Sequence, residues 1–203
     1  EARGAEVQPG TLLLQAGVQG GVEFLGEGIE PLLVRDEQFP RGAQAALHYY
    51  YGLNKIPLDK KLFGVFPHRK YTMFDPLLKG TDEEFFIPHS RHTTIDREDL
   101  ENIPGLKILA SSPEAGVFAL STKKGRQIFI TGHPEYDGDT LKKEFIRDTA
   151  NGVGQMPKNY FPNDDDTKEP VCTWRSSANL LYCNWLNYFV YQTTPYDFTD
   201  KKV

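Results

Sequence analysis

Cysteine is scarce in this chain, with only Cys172 and Cys183 among 203 residues. Two thiols build neither a disulfide framework nor a zinc site, so reduced and mostly buried thiols are expected. An excess of basic charge is missing too: the net charge of −5 argues against the electrostatic footprint of a nucleic-acid binder. No apolar run approaches the roughly 18 residues of a membrane span. The opening residues lack the charged-then-apolar pattern of a secretory signal, so the expectation is a cytoplasmic protein with no membrane and no nucleic-acid partner. Gly17-Val18-Gln19-Gly20-Gly21 has neither the spacing nor the Lys-Ser/Thr of a phosphate loop. Asp164-Asp165-Asp166 lacks the flanking pattern of a calcium loop and reads as a solvated turn, so no metal site is expected. What is present, 39% apolar and 25% charged residues, suits one α/β domain with a single core.

Residues 1–39 show no clean period; Thr11-Leu12-Leu13-Leu14 and Pro31-Leu32-Leu33-Val34 are their strand-like runs. From Gly42 the pattern sharpens. Gly42 to Gly52 is rich in helix formers and closes on a C-cap glycine. Its small first residues allow the helix N-terminus to approach another backbone closely. Lys60 to Phe66 reads as a strand ended by Pro67-His68, and Glu84 to Pro88 as a second strand emptying into the polar segment His89-Ser90-Arg91-His92-Thr93-Thr94. That segment reads either as a site or as a loop capping a short helix from Asp96 to Asn102. Leu106–Ala110, Gly116–Leu120 and Gln127–Ile130 have strand composition, with Thr122-Lys123-Lys124-Gly125 as the turn of an antiparallel hairpin at one side of the sheet. Asp139 to Asp148 suggests a helix with Asp139 as cap, residues 151–170 a long loop, and Trp174 to Tyr191 an aromatic helix that buries Leu180, Leu181, Trp185, Leu186, Phe189 and Val190.

The chemistry concentrates in Thr131-Gly132-His133-Pro134-Glu135-Tyr136-Asp137, directly after Gln127-Ile128-Phe129-Ile130. A buried strand closed by Gly delivers such residues to its C-terminal edge, where α/β sheets place their sites. His133 and Glu135 would share one face of a continuing strand, and Pro134 stiffens both. A His beside a carboxylate is the base and orienter of a nucleophile triad; the alternative is two polar residues following a strand into a loop. Cys183 has no His or acid near it in sequence and makes a poor nucleophile.

Taken together, Gly42-Ala43-Gln44-Ala45, Phe63-Gly64-Val65-Phe66, Pro88-His89-Ser90-Arg91-His92-Thr93, the His133 motif, Pro157-Lys158-Asn159-Tyr160-Phe161-Pro162 and Trp185-Leu186-Asn187-Tyr188 resemble the homoserine O-acyltransferase (homoserine O-succinyltransferase) family of methionine biosynthesis. The resemblance implies a class I glutamine amidotransferase-like α/β fold, a flavodoxin-like three-layer sandwich. It also implies acyl transfer from acetyl-CoA or succinyl-CoA, as co-substrate rather than cofactor, through a Cys to L-homoserine. A homodimer is compatible with it. By resemblance His133 is the general base, Glu135 holds its imidazole, and Lys61, Ser90 and Arg147 bind substrate. The family's Cys-Trp pair ahead of the small-residue helix is replaced by Pro40-Arg41. Proline supplies no nucleophilic atom and no N–H, so an impaired enzyme is expected. Residues 1–41 form a segment unlike the family, 42–203 the family's C-terminal part, and the fold is expected to be incomplete at the N-terminal side. A glutamine amidotransferase-like hydrolase and a non-catalytic remnant are the competing readings. The resemblance leans towards acetyl as the acyl group.

Overall fold

A computed structural model describes residues 11–14, 42–72, 74–122, 125 and 127–192. Pro40, Arg41, the glycine-rich stretch 17–21 and the run 31–34 lie outside these residues.

Six strands form one sheet in the order β1-β6-β5-β4-β2-β3, where β1 is Thr11–Leu14, β2 Ile56–Lys70, β3 Glu84–Thr94, β4 Lys107–Ser112, β5 Gly116–Thr122 and β6 Gln127–Ile130. β1 runs parallel to β6, and every other neighbouring pair among the described residues is antiparallel. For β4–β5 and β5–β6 the short links 113–115 and 123–126 dictate this, because a few residues can only reverse a strand, never carry it over into a parallel partner. The β5–β6 hairpin expected from sequence is present, but it sits inside the sheet, since β1 covers its outer side.

Two faces of the sheet are covered. Helix α1 (Ala43–Tyr51) and α2 (Arg97–Glu101) cover one, burying Ala43, Leu47, Ile95 and Leu100 against Val117, Leu120 and Phe129. On the other, Leu77, Leu78 and Leu181 pack on Phe85, Ile87, Phe118, Ile128 and Ile130. Ile128, Phe129 and Ile130 alternate between the two cores, the period-2 signature of a strand buried on both sides. A third cluster, Phe63, Val65, Leu141, Tyr160, Phe161 and Trp174, seats α3 (Thr140–Ala150) beside β2. The result is a three-layer α/β arrangement.

Several sequence expectations need correction. Pro67-His68 does not end β2, which continues to Lys70. A proline is tolerated there because pairing with β4 begins only at Arg69, so its missing N–H breaks no ladder on that side. The polar run His89–Thr94 is not a loop but the second half of β3, with Ser90 opposite Phe63 and Arg91 opposite Leu62. Asp96 itself caps α2, accepting from Glu98 N. Asp139 makes no side-chain cap on α3; its carboxylate pairs instead with Lys143. The last helix splits into α4 (Arg175–Asn184) and a wider π-helical stretch Trp185–Val190. Both cysteines are free thiols, but Cys183 is exposed rather than buried.

β3 ends the strand order, yet His133 N donates to Pro88 O at 2.8 Å. The sheet therefore curls until the free margin of β3 meets the turn that follows β6.

Candidate active site

The strand that leads to His133 stops at Ile130. Thr131 holds the exit: its N–H donates to Phe118 O and its Oγ1 to Val117 O at 2.6 Å. His133 and Glu135 do not share a strand face, as the sequence suggested. A turn closed by Tyr136 N to His133 O brings them together. Glu135 Oε1 lies 2.7 Å from His133 Nδ1. The imidazole is 1% exposed and the carboxylate about one-third exposed, so the ring is shielded while its partner keeps water on one side. Tyr136 stacks on the imidazole with ring centres 4.2 Å apart. A carboxylate accepts only, so Nδ1 carries the proton and Nε2 presents a lone pair.

Gly132 is required by space. A Cβ there would lie 2.6 Å from Ile87 Cγ2 and 3.0 Å from two ring atoms of His89. His89 and His68 are both fully buried. Their Nε2 atoms are 3.1 Å apart, and His68 Nδ1 sits 2.9 Å from Phe66 O. Burial pushes His68 down to about 4, and burial together with the charges of His68, Arg91 and His133 drives His89 well below the ordinary imidazole value. Arg91, also buried, donates to Thr93 O and Ala115 O; burial lowers its guanidinium to about 10.

The residues expected to bind substrate converge. Ser90 Oγ donates to Glu144 Oε1 at 2.7 Å. Lys61 Nζ reaches Glu144 at 2.8 Å and Asp148 at 2.7 Å. Arg147 Nη2 bonds Asp148 at 2.8 Å, while its side chain stays 60% exposed. An irregularity in the β2–β3 register between Pro57 and Leu62 frees Lys61 from regular pairing, and its ammonium lies over the Phe63 ring at 4.0 Å. Burial raises the Asp148 carboxyl, but hydrogen bonds from Lys61 and Arg147 outweigh it and hold the group below the usual range. The Asp148 hydrogen bond in turn raises Arg147. Sequence reasoning missed Glu144 and Asp148; their spacing of four places both on one face of α3, but only the tertiary fold sets that face against β2 and β3.

At the entry to α1, Gln44 Nε2 donates to Thr93 O and Thr93 Oγ1 to Gln44 Oε1, tying the helix N-terminus to β3. The link runs through the Gln44 and Thr93 side chains.

Residues 39–196 match the family model described as Homoserine O-succinyltransferase. The chain belongs to this family. A homoserine O-acetyltransferase of Acetivibrio thermocellus is 56% identical over 162 residues, 79% of this chain and 53% of that protein. One from Geobacillus sp. (strain WCH70) is 57% identical over 157 residues, 77% of this chain and 52% of the relative. The chain thus spans about half the length of the curated relatives it matches. Among solved structures, SMU.1228c shares the fold at a TM-score of 0.50 and 18% identity, over 71% of this chain and 58% of that one. A glutamine amidotransferase from Methylobacillus flagellatus aligns at a TM-score of 0.48 and 14% identity, over 71% and 59%.

Proposed function

We propose that this chain carries the base, orienter and homoserine contacts of a cytoplasmic homoserine O-acyltransferase of methionine biosynthesis. The acyl group passes from acetyl-CoA, or succinyl-CoA, to the hydroxyl of L-homoserine. The observation that supports this reading most is the 2.7 Å contact of His133 Nδ1 with Glu135 Oε1 at the end of an inner strand. With Nδ1 engaged, Nε2 is the atom that accepts a proton. In the transfer step the homoserine oxygen attacks the acyl carbon, its proton passes to Nε2, and the carbon–sulfur bond of the thioester breaks, the proton finally leaving on sulfur.

The second cluster suits the acceptor. Lys61 and Arg147 supply two cations, Glu144 and Asp148 two carboxylates, so the group is electroneutral and complements a zwitterionic amino acid. Arg147 can fork onto a carboxylate, and Glu144 can take an ammonium.

Pro40 stands where the family has its thiol, so we further propose that transfer by this chain is absent or severely reduced. Incubation with homoserine and either acyl-CoA tests this by release of free CoA; turnover at ordinary enzyme rates refutes the impairment. Calorimetry with homoserine tests the pocket itself. Heat of binding that disappears in Arg147→Ala is expected, and no heat from the unaltered chain refutes the acceptor site.

A further inference from the structure

Behind the base lies a buried pair that the transfer chemistry does not use. His68 and His89 stack with ring centres 5.1 Å apart, walled by Phe66, Phe85 and Phe118. Among the described residues no carboxylate is a hydrogen-bond partner of either, and both rings are inaccessible to solvent. Two neutral imidazoles fit such a place, since a buried cation without a counter-charge does not persist.

Their protons can be placed from geometry. Phe66 O only accepts, so His68 is protonated on Nδ1 and its Nε2 is an acceptor. The 3.1 Å contact between the two Nε2 atoms then requires the proton on His89 Nε2. His89 Nδ1 is left as an acceptor without a partner among the described residues. A chain of fixed hydrogen bonds thus runs from the β2 backbone to the His89 ring. Two atoms of that ring lie 3.0 Å from where a Cβ on Gly132 would be, while the preceding residue, Pro88, accepts from His133 N.

We propose that His89, locked as its Nε2–H tautomer by His68, is a positioning residue for His133: its ring braces Gly132 and so fixes the turn that holds the imidazole against Glu135. The role of His133 as base rests on the function proposed above; the bracing does not, and the test needs no turnover. Two adjacent residues of β3 brace the turn together, Pro88 through its carbonyl and His89 through its ring.

Nitrogen-15 imidazole spectra of the unaltered chain come first, and they are expected to show His68 protonated on Nδ1 and His89 on Nε2. His89 protonated on Nδ1, or doubly protonated at pH 7, overturns the proposal outright. The second readout is the downfield proton resonance of His133 Nδ1 bonded to Glu135. His89→Gln keeps an N–H near the Nε2 position and should retain this resonance. His89→Leu removes the donor and should lose it to exchange while remaining folded by circular dichroism. A folded His89→Leu chain with an unchanged resonance shows a merely structural role and overturns the proposal. Should the leucine variant not fold, His89→Gln decides alone, because loss of the resonance in that folded variant is equally fatal.

Discussion

At the scale of single residues the site depends on contacts with no slack. Gly132→Ala would press a methyl against Ile87 and the His89 ring. Interiors are close-packed and yield at a cost, so a loss of about 1–3 kcal/mol in urea unfolding is expected. A variant as stable as the parent would show that this wall can move. The identities of His133 and Glu135 were legible in the sequence because a buried strand, a glycine and a His-Pro-Glu run sit in order. Their geometry was not, since a turn and not strand alternation joins them. His68 and His89 gave no signal as a pair: nothing in two residues 21 apart announces that β2 and β3 align them.

Among elements, β2 is held from several sides. Gly64, at a φ of +143°, lies against the backbone of Lys158, whose N–H and carbonyl bond Phe63 and Val65 at 2.9 Å. A side chain at residue 64 meets that backbone directly and carries strain of its own. Gly64→Ala should therefore cost about 2 kcal/mol or more, with faster amide exchange at Lys158 and Val65. Exchange unchanged at both amides would contradict this. On the same strand Lys61 ties β2 to α3, with both it and Glu144 less than one-fifth exposed. A double-mutant cycle of Lys61→Met and Glu144→Gln should give a coupling of about 1–2 kcal/mol, above the usual value for an exposed pair. A value near zero would mean that solvent already screens the contact. Element types from Gly42 onward were readable from composition, whereas the lengths of β2 and β3 were not. Pro67 and the hydroxyl-rich run after Pro88 look like breakers until their ladder partners are known.

For the molecule as a whole, the buried imidazoles set a response to acid. An unfolded His68 titrates near the ordinary 6.5, the folded one near about 4. Between those values the unfolded chain binds a proton that the folded chain refuses, so stability is full above about pH 6.5 and drains as pH falls towards 4. One such group accounts for on the order of 3 kcal/mol, and His89 acts in the same direction. The melting temperature should thus drop between pH 7 and 4.5, less steeply in His68→Phe; identical slopes would contradict the assignment. The family was legible because its motifs stand in order over the later part of the chain. The antiparallel pairing of β2 with β4 was not, because those strands are not consecutive and only the tertiary fold sets them side by side.

One strand, β3, serves both halves of the site at once. Its even positions include Ser90, directed at α3, and its odd positions include His89, directed at the turn that carries His133. A slip of one residue along β2 would exchange these sides and strip the serine and the imidazole from their places together. The Ser90–Glu144 contact and the seating of the His133 turn thus share a single alignment of two backbones, so neither can be lost to misregistration while the other survives.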